Sequence, residues 1–383
     1  MPPLYLDANA TTPLAPEVLD AMRPFLAGFA GNASSRHAAG RRARQALDAA
    51  RRVIAEALDG DAERLVFVSG ATEANALALR SLCPPGSRLW MNPTEHPSVL
   101  DAARELATTV AVAPLAVDAE GFVLPKAPTN QAATAAAVQW ANSETGCVQN
   151  LPALAAAWPG VAIHADAVQA PGRIPMSFRR SGAATMAICG HKIHGPPGVG
   201  ALLYRADVRL RPWLGGGHQQ GGLRSGTEPV ALIVGLAAAL EMAVRNMPVA
   251  AEKLNDLRAA FVAALRAELP DLLDNSPANP ARRLPNTANL SFLGAPAAAL
   301  LMALDLAGVC CSAGSACASG SALPSHVLVA MGLPVERIAS AVRFSFHCDQ
   351  SLDEARAAAA IVARCVAQVR RSFALDHGAA TDV

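Results

Sequence analysis

The feature that most constrains this chain is an alternation of short apolar runs with helix-period segments, which persists from about residue 40 to residue 245. Ala43, Leu47, Ala50, Ile54 and Leu58 recur at helical spacing with arginines between them, giving one apolar and one solvated face. Leu65-Val66-Phe67-Val68 then reads as a short buried strand, stopped by Ser69-Gly70. Leu89 to Met91, Ala135 to Trp140, Val161 to His164, Met186 to Ile188 and Gly200 to Tyr204 read as further strands. Helical stretches such as Ser98 to Leu106 and Leu151 to Trp158 separate them. Strands alternating with helices predict crossover units and an α/β fold, a mostly parallel mixed sheet covered by helices.

After about residue 250 the alternation gives way. A helix over Glu252 to Leu269 is followed by the turn-rich stretch Pro270 to Pro285, a strand from Thr287 to Phe292 and a helix from Pro296 to Leu306. A Gly/Ser/Cys loop at about 308–321, a strand at Arg343 to Phe346 and a closing amphipathic helix from Leu352 to Arg371 complete the chain. The length of 383 residues suits roughly two packed units. The expected division is a large domain over 15–248 and a smaller α+β domain made of 1–14 with 249–383. Asp376 to Val383 is expected to be a loose tail.

Charge narrows the partners. With 32 basic and 31 acidic side chains the chain has no basic surplus for nucleic acid or an anionic membrane, so any anionic ligand must be gripped by local groups. Mean hydropathy is positive at +0.26, but the longest apolar run, Val230 to Leu240, stops at Glu241. That run is short of the ~20 residues of a membrane span. The start, Met1-Pro2-Pro3-Leu4, has no basic region before an apolar one, so a cytoplasmic protein with neither secretory signal nor membrane partner is expected. None of the eight cysteines forms a C-x-x-C pair, which argues against zinc or a dithiol redox site; no metal is expected, and most of the thiols should be small buried residues.

Three segments carry chemistry. In Phe67-Val68-Ser69-Gly70-Ala71-Thr72-Glu73-Ala74-Asn75 a strand turns into a helix, whose free N–H groups offer either an anion site or an ordinary cap. In Ile163-His164-Ala165-Asp166 a strand delivers a carboxylate at its C-terminal end. That carboxylate reads either as a cap or as a partner for a protonated ring nitrogen. In Cys189-Gly190-His191-Lys192, before Gly195-Pro196-Pro197-Gly198, a lysine follows a strand end about one crossover unit beyond Asp166. Such a lysine reads as a turn residue or as an amine for a carbonyl cofactor.

Taken in order, these segments resemble the cysteine desulfurases of the NifS/IscS type, which are fold-type I pyridoxal-phosphate transferases. The resemblance runs nearly end to end. It covers Tyr5-Leu6-Asp7-Ala8-Asn9-Ala10-Thr11-Thr12, Ser69-Gly70-Ala71-Thr72-Glu73, Glu95-His96-Pro97 and Glu144-Thr145-Gly146. It continues through Asp166-Ala167-Val168-Gln169, Gly190-His191-Lys192, Arg224-Ser225-Gly226-Thr227, Gly314-Ser315-Ala316-Cys317, Pro324-Ser325-His326-Val327-Leu328 and Val342-Arg343-Phe344-Ser345.

The resemblance implies a cofactor, pyridoxal 5'-phosphate, and a role for each matching residue. Lys192 would be the Schiff-base lysine and proton shuttle, Asp166 the partner of the pyridine nitrogen, His96 the stacking and proton-transfer residue, and Gln169 the donor to the phenolic oxygen. Ala71, Thr72 and His191 would cradle the phosphate. Thr227 would reach the phosphate of a neighbouring subunit, implying a homodimer with shared sites. Cys317, in a run of small residues that suits a mobile exposed loop, would take sulfur from L-cysteine, leaving alanine and a persulfide for an acceptor or iron–sulfur scaffold protein. Arg343 would hold the substrate carboxylate.

Three departures stand out. Ser143 occupies a position where the family usually has a ring-contacting Asn, and Asn142 is expected to compensate on the substrate side. Cys189, a weak donor, stands for a phosphate-binding Ser. Gly216 to Gly222 replaces a run with a third Gly and a Glu. All three leave Lys192, Asp166, His96 and Cys317 in place, so activity is expected with altered cofactor affinity. Fold alone would also admit a selenocysteine lyase, an aminotransferase or a silent regulatory homologue. The thiol at 317 argues against the aminotransferase, and Lys192 with Cys317 against the silent form.

Overall fold

The computed structural model describes residues 3–128, 133–314 and 324–379. A short strand β1 (Leu4–Tyr5) leads into helices α1 (Pro16–Leu26) and α2 (Ala38–Ala57). Ala43, Leu47, Ala50 and Ile54 of α2 are all buried, as their spacing requires, and His37 caps the helix by accepting from the Gly40 N–H. The alternation follows as β2 (Leu65–Val68), α3 (Ala71–Leu82), β3 (Arg88–Met91), α4 (Pro97–Leu106), β4 (Ala111–Pro114), β5 (Ala135–Ala137) and α5 (Leu151–Ala157). Then come β6 (Ala162–Asp166), α6 (Phe178–Ser181), β7 (Thr185–Cys189) and β8 (Gly200–Tyr204).

Seven of these strands form one sheet in the order β2-β8-β7-β6-β5-β3-β4. Its β7-β6-β5-β3-β4 portion is parallel throughout, and β8 runs antiparallel to both β2 and β7. The expected mostly parallel mixed sheet is the sheet observed. Every residue of β2, β7 and β8 is buried, because helices cover both faces and the strands must be apolar on both sides. The edge strand β4 was not anticipated: three of its four residues are exposed, so it lacks the apolar signal of an interior strand. The run read as strand to Trp140 ends at Ala137. Where β8 meets the turn after β2, a Cβ on Gly200 would lie 3.0 Å from Gly70 backbone. A side chain at Gly200 would therefore push the start of α3 away from the sheet.

The helix expected from Glu252 in fact begins at Val230: α7 (Val230–Glu268) runs 39 residues with Pro248 inside it. Its first part, including Ile233, Leu236 and Leu240, packs in the core of the large sheet with Val18, Met22 and Ile54. Its last part, including Leu257, Phe261 and Leu265, packs in a second core with Leu6, Phe292 and Phe344. By length and composition α7 is apolar enough to cross a bilayer, which the unbroken run ending at Glu241 did not suggest. Its two buried portions account for that hydropathy as core packing.

The remaining elements are β9 (Leu273–Asp274), β10 (Thr287–Ser291), α8 (Ala297–Leu306), β11 (Val309–Cys310), α9 (His326–Ala330), α10 (Val335–Ala339), β12 (Ala341–Ser345) and α11 (Leu352–Ala379). β12-β10-β9 make an antiparallel sheet backed by α7, α8 and α11, and β1 pairs in parallel with β11. Phe261 sits 4.9 Å from Phe344 and 5.4 Å from Phe346 between ring centroids, anchoring this core. Truncating a buried Phe of this kind to Ala costs about 3–5 kcal/mol.

Candidate active site

The parallel strands determine where the site lies. Asp166 ends β6, Cys189 ends β7, α3 starts just after β2, and His96 caps α4 just after β3. All border one cavity of ≈ 300 Å³ outside the carboxyl ends of β6 and β7, where open α/β sheets bind ligands. His96, Ser143, Gln169, His191, Lys192 and Arg343 also line it.

One end of the cavity suits an anion. Ser69, Gly70, Ala71 and Thr72 border it, and the first N–H groups of α3 have no partner within the helix. Glu73, in the same turn, is neutralised: Arg224 grips it with two bonds of 2.9 and 3.2 Å and the Ser69 N–H donates at 2.7 Å. Burial would raise the Glu73 pKa, but these donors outweigh it and hold the carboxyl below its usual range. Facing α3 are Cys189 and His191. Burial pushes the Cys189 thiol up to about 12, so it stands here as a neutral, weak donor. Burial, reinforced by the Lys192 charge, brings His191 down to about 4 and keeps its ring neutral.

Lys192 lies between this end and Asp166. Its Nζ donates to the main-chain carbonyls of Asn9 at 2.6 Å and Ala10 at 2.5 Å. Gln169 donates through Nε2 to the same Asn9 carbonyl at 3.0 Å, while Arg173 holds its Oε1. Asn9 is therefore a hub that sequence reasoning placed within a motif but gave no role. Its signal was the motif itself.

Asp166 is buried and accepts from Asn75 Nδ2 at 2.8 Å and from the Val168 N–H at 3.0 Å. Asn75 also donates to Ser98 Oγ at 2.9 Å, and Ser98 Oγ lies 2.8 Å from His96 Nδ1. Behind Asn75 is His164, fully buried and brought down to about 4 by desolvation, partly offset by Asp166. Beside His96, Glu95 accepts from the Gln139 N–H, and its second oxygen has no hydrogen-bond partner among the described residues. Burial, with the Asp166 charge adding to it, raises the Glu95 pKa well above its ordinary value.

At the third side, Arg343 donates to Asp7 Oδ1 at 2.6 Å and to the Ser143 carbonyl at 3.2 Å, and its Nε has no hydrogen-bond partner among the described residues. Asp7 Oδ2 accepts from Ser312 Oγ at 2.9 Å. Ser143 is in the cavity as expected. Asn142 is not, and its substrate-side assignment is corrected. Its Oδ1 accepts from the Glu144 and Thr145 N–H groups and its Nδ2 donates to the Thr94 carbonyl, so the amide is spent on holding its own turn. Thr227 is exposed and does not border the cavity of its own chain. Cys317 lies outside the described residues. The described residues flanking its segment meet at Glu144: Ser325 Oγ donates to Glu144 Oε2 at 2.5 Å, and a Cβ on Gly314 would lie 3.1 Å from that oxygen.

Comparison with known proteins gives the chain a family. The family described as Aminotransferase class-V matches residues 4–357. A protein named cysteine desulfurase from Trichormus azollae is 40% identical over 352 residues, covering 89% of this chain and 87% of its own. An IscS-like cysteine desulfurase from Mycobacterium tuberculosis is 37% identical over 98% of this chain and 99% of its own. Among solved structures, a NifS-like protein superposes with a TM-score of 0.87 at 28% identity, covering 95% of this chain and 99% of its own. A structure described as SspA in complex with cysteine superposes with a TM-score of 0.75 at 28% identity, covering 90% and 99%.

Proposed function

We infer that this chain, which belongs to the class-V aminotransferase family, is a cysteine desulfurase that removes sulfur from L-cysteine and leaves L-alanine. The observation that carries the reading is the single cavity in which Lys192 stands between an anion-binding helix start and the buried carboxylate Asp166, with Arg343 on a third side.

Those donors suit pyridoxal 5'-phosphate. Ala71, Thr72, Cys189 and His191 would hold its phosphate, Asp166 its ring nitrogen, Gln169 its phenolic oxygen, and Lys192 its carbonyl carbon. When bound, the group supplies an electron sink for charge that develops at the substrate's Cα and Cβ. The protein residues do the rest. Arg343 fixes the substrate carboxylate and so the orientation of Cα. Lys192 would move the Cα proton, and His96 would stack on the ring and assist that transfer. The Asn9 and Ala10 carbonyls hold the Lys192 amine in the cavity.

Cys317 is the proposed sulfur acceptor within the chain. Its thiolate attacks the sulfur of the substrate, the Cβ–S bond breaks, the carbon skeleton takes up a proton and leaves as alanine, and Cys317 keeps the sulfur as a persulfide. The convergence of Gly314 and Ser325 on Glu144, next to Ser143 of the cavity, supports a nucleophile at 317. Exposed Thr227 supports a homodimer in which it reaches the partner's phosphate site. A cytoplasmic iron–sulfur scaffold or other sulfur-acceptor protein is the expected recipient.

The test is direct. Purified protein should show a visible absorption band, and L-cysteine with a thiol reductant should yield equal amounts of sulfide and alanine. Cys317→Ala should abolish sulfide release while keeping the band, and Lys192→Ala should lose the imine form of the band. Undiminished turnover by Cys317→Ala would remove the nucleophile assignment.

A further inference from the structure

We propose that Asn75 is a positioning residue for two catalytic groups at once: a single buried amide that fixes the carboxylate of Asp166 and, through Ser98, the tautomer of His96. The inference rests on reading Asp166 and His96 as groups that face the cofactor.

Asn75 is fully buried, so each of its polar atoms needs a partner. Its Oδ1 lies 3.0 Å from His164 Nε2, and its Nδ2 lies 2.8 Å from Asp166 Oδ2 and 2.9 Å from Ser98 Oγ. Turning the amide over would set Oδ1 against the Asp166 carboxylate, acceptor against acceptor, and Nδ2 against His164. The orientation is therefore fixed by Asp166 and not by convention. His164 must then donate from Nε2. Its Nδ1, 2.9 Å from Thr185 Oγ1, accepts from that hydroxyl. A buried neutral imidazole has one hydrogen to give, and this arrangement uses it.

The second branch follows the same logic. The Ser98 N–H donates to His96 Nδ1 at 3.1 Å, so Nδ1 is an acceptor. Ser98 Oγ, which already accepts from Asn75, turns its own hydrogen onto that same Nδ1 at 2.8 Å. The neutral His96 ring therefore carries its hydrogen on Nε2, and His96 enters the reaction as a hydrogen-bond donor through that atom. Thr185, His164, Asn75 and Ser98 thus form one chain of bonds leading from β7 to two cavity groups, with every link inside the protein. Thr185, His164 and Asn75 lie behind the cavity wall, and Ser98 reaches its lining.

The wild-type protein tests this first. In holoenzyme labelled with ¹⁵N-histidine, His164 and His96, identified by comparison with His164→Gln and His96→Gln, should both show a bare Nδ1 and a protonated Nε2 near neutral pH. A protonated Nδ1 on either ring overturns the inference. Variants then separate the branches. Asn75→Ala should weaken cofactor binding by about tenfold, as expected for losing a charge-assisted bond to Asp166, and should move the visible band. Ser98→Ala removes the hydroxyl that links Asn75 to His96 and leaves the Asn75–Asp166 bond in place: kcat should fall about tenfold with cofactor affinity unchanged. An Asn75→Ala protein that melts earlier but keeps the wild-type band and affinity would make the amide merely structural. If wild type releases no sulfide from L-cysteine while the tautomers and the affinities come out as stated, the desulfurase reading falls and this one stands.

Discussion

The Asp7–Arg343 pair is the sharpest place to test the site. Arg343 Nη2 donates to Asp7 Oδ1 at 2.6 Å, and the side chains are 2% and 15% exposed. Charge centres about 4 Å apart attract by about 4 kcal/mol at an effective dielectric near 20. Desolvation of the guanidinium takes back part of that. Removing one partner of a buried pair commonly costs about 3–5 kcal/mol. Asp7 is partly wet and Asn would still accept a bond, so Asp7→Asn should cost about 2–3 kcal/mol of folding stability. Arg343→Gln should cost a similar amount, by stranding the Asp7 carboxylate. The double variant should lose less than the sum of the two, by about 2 kcal/mol, in equilibrium denaturation of the holoprotein. Function gives the second readout. Arg343→Gln should lower kcat/KM for L-cysteine by about 100-fold or more, the cost of losing a desolvated charge-assisted contact. Cysteamine, which has no carboxylate, should lose far less. Additive stabilities within about 0.5 kcal/mol, or equal losses for cysteine and cysteamine, would refute the reasoning.

Three further outcomes follow from the same geometry. His164 titrates near pH 4 when folded and near pH 6.5 when unfolded, so the unfolded chain binds the extra proton between those values. Stability should therefore fall as pH drops through that window, by about 3 kcal/mol at most from this residue, and His164→Gln should flatten that part of the curve. Glu73 has the opposite chemistry and the same sign: its lowered pKa contributes stability above about pH 4.3 that is lost at more acid pH. Wild type and Glu73→Gln should converge in urea midpoint as pH falls below that value. Cys189→Ser replaces a weak donor with a hydroxyl at the anion end, so cofactor affinity measured on the apoprotein should rise by about three- to tenfold.

Much of the fold was legible because its signals are local. Leu65 to Val68 and Gly200 to Tyr204 are bounded by Ser-Gly and Pro-Gly turns and buried on both faces, so the apolar run and the strand coincide. The cavity's own groups were legible for a related reason: Asp166, Cys189 and Lys192 sit at or just beyond strand ends, where sequence punctuation is strongest. Asn142 misled because an amide before Glu-Thr-Gly reads equally as a ligand contact or as a turn holder. Only the bonds to Glu144, Thr145 and Thr94 decide for the turn. The start of α7 was hidden by a helix that changes partners along its length, so no single apolar stripe runs through all of it.

What local pattern could not supply is the set of residues that hold the catalytic groups in place, because those bonds join distant parts of the chain. Asn75 and Asp166 are 91 residues apart, and Asn9 meets Thr287 across 278. The N-terminal segment shows why this matters for the site. Leu6 is buried in the second core, beside Phe344. Within the next six residues the same segment pairs Asp7 with Arg343, offers the Asn9 and Ala10 carbonyls to Lys192, and sets Thr12 Oγ1 on the His191 carbonyl at 3.0 Å. A chain anchored in one core thus holds both the Arg343 guanidinium and the Lys192 amine. The two contacts are joined by a tight turn, in which the Ala10 N–H donates to the Asp7 carbonyl at 2.9 Å. A change in that segment, such as a one-residue deletion between Asp7 and Thr12, would shift Lys192 against Arg343 while leaving both cores intact.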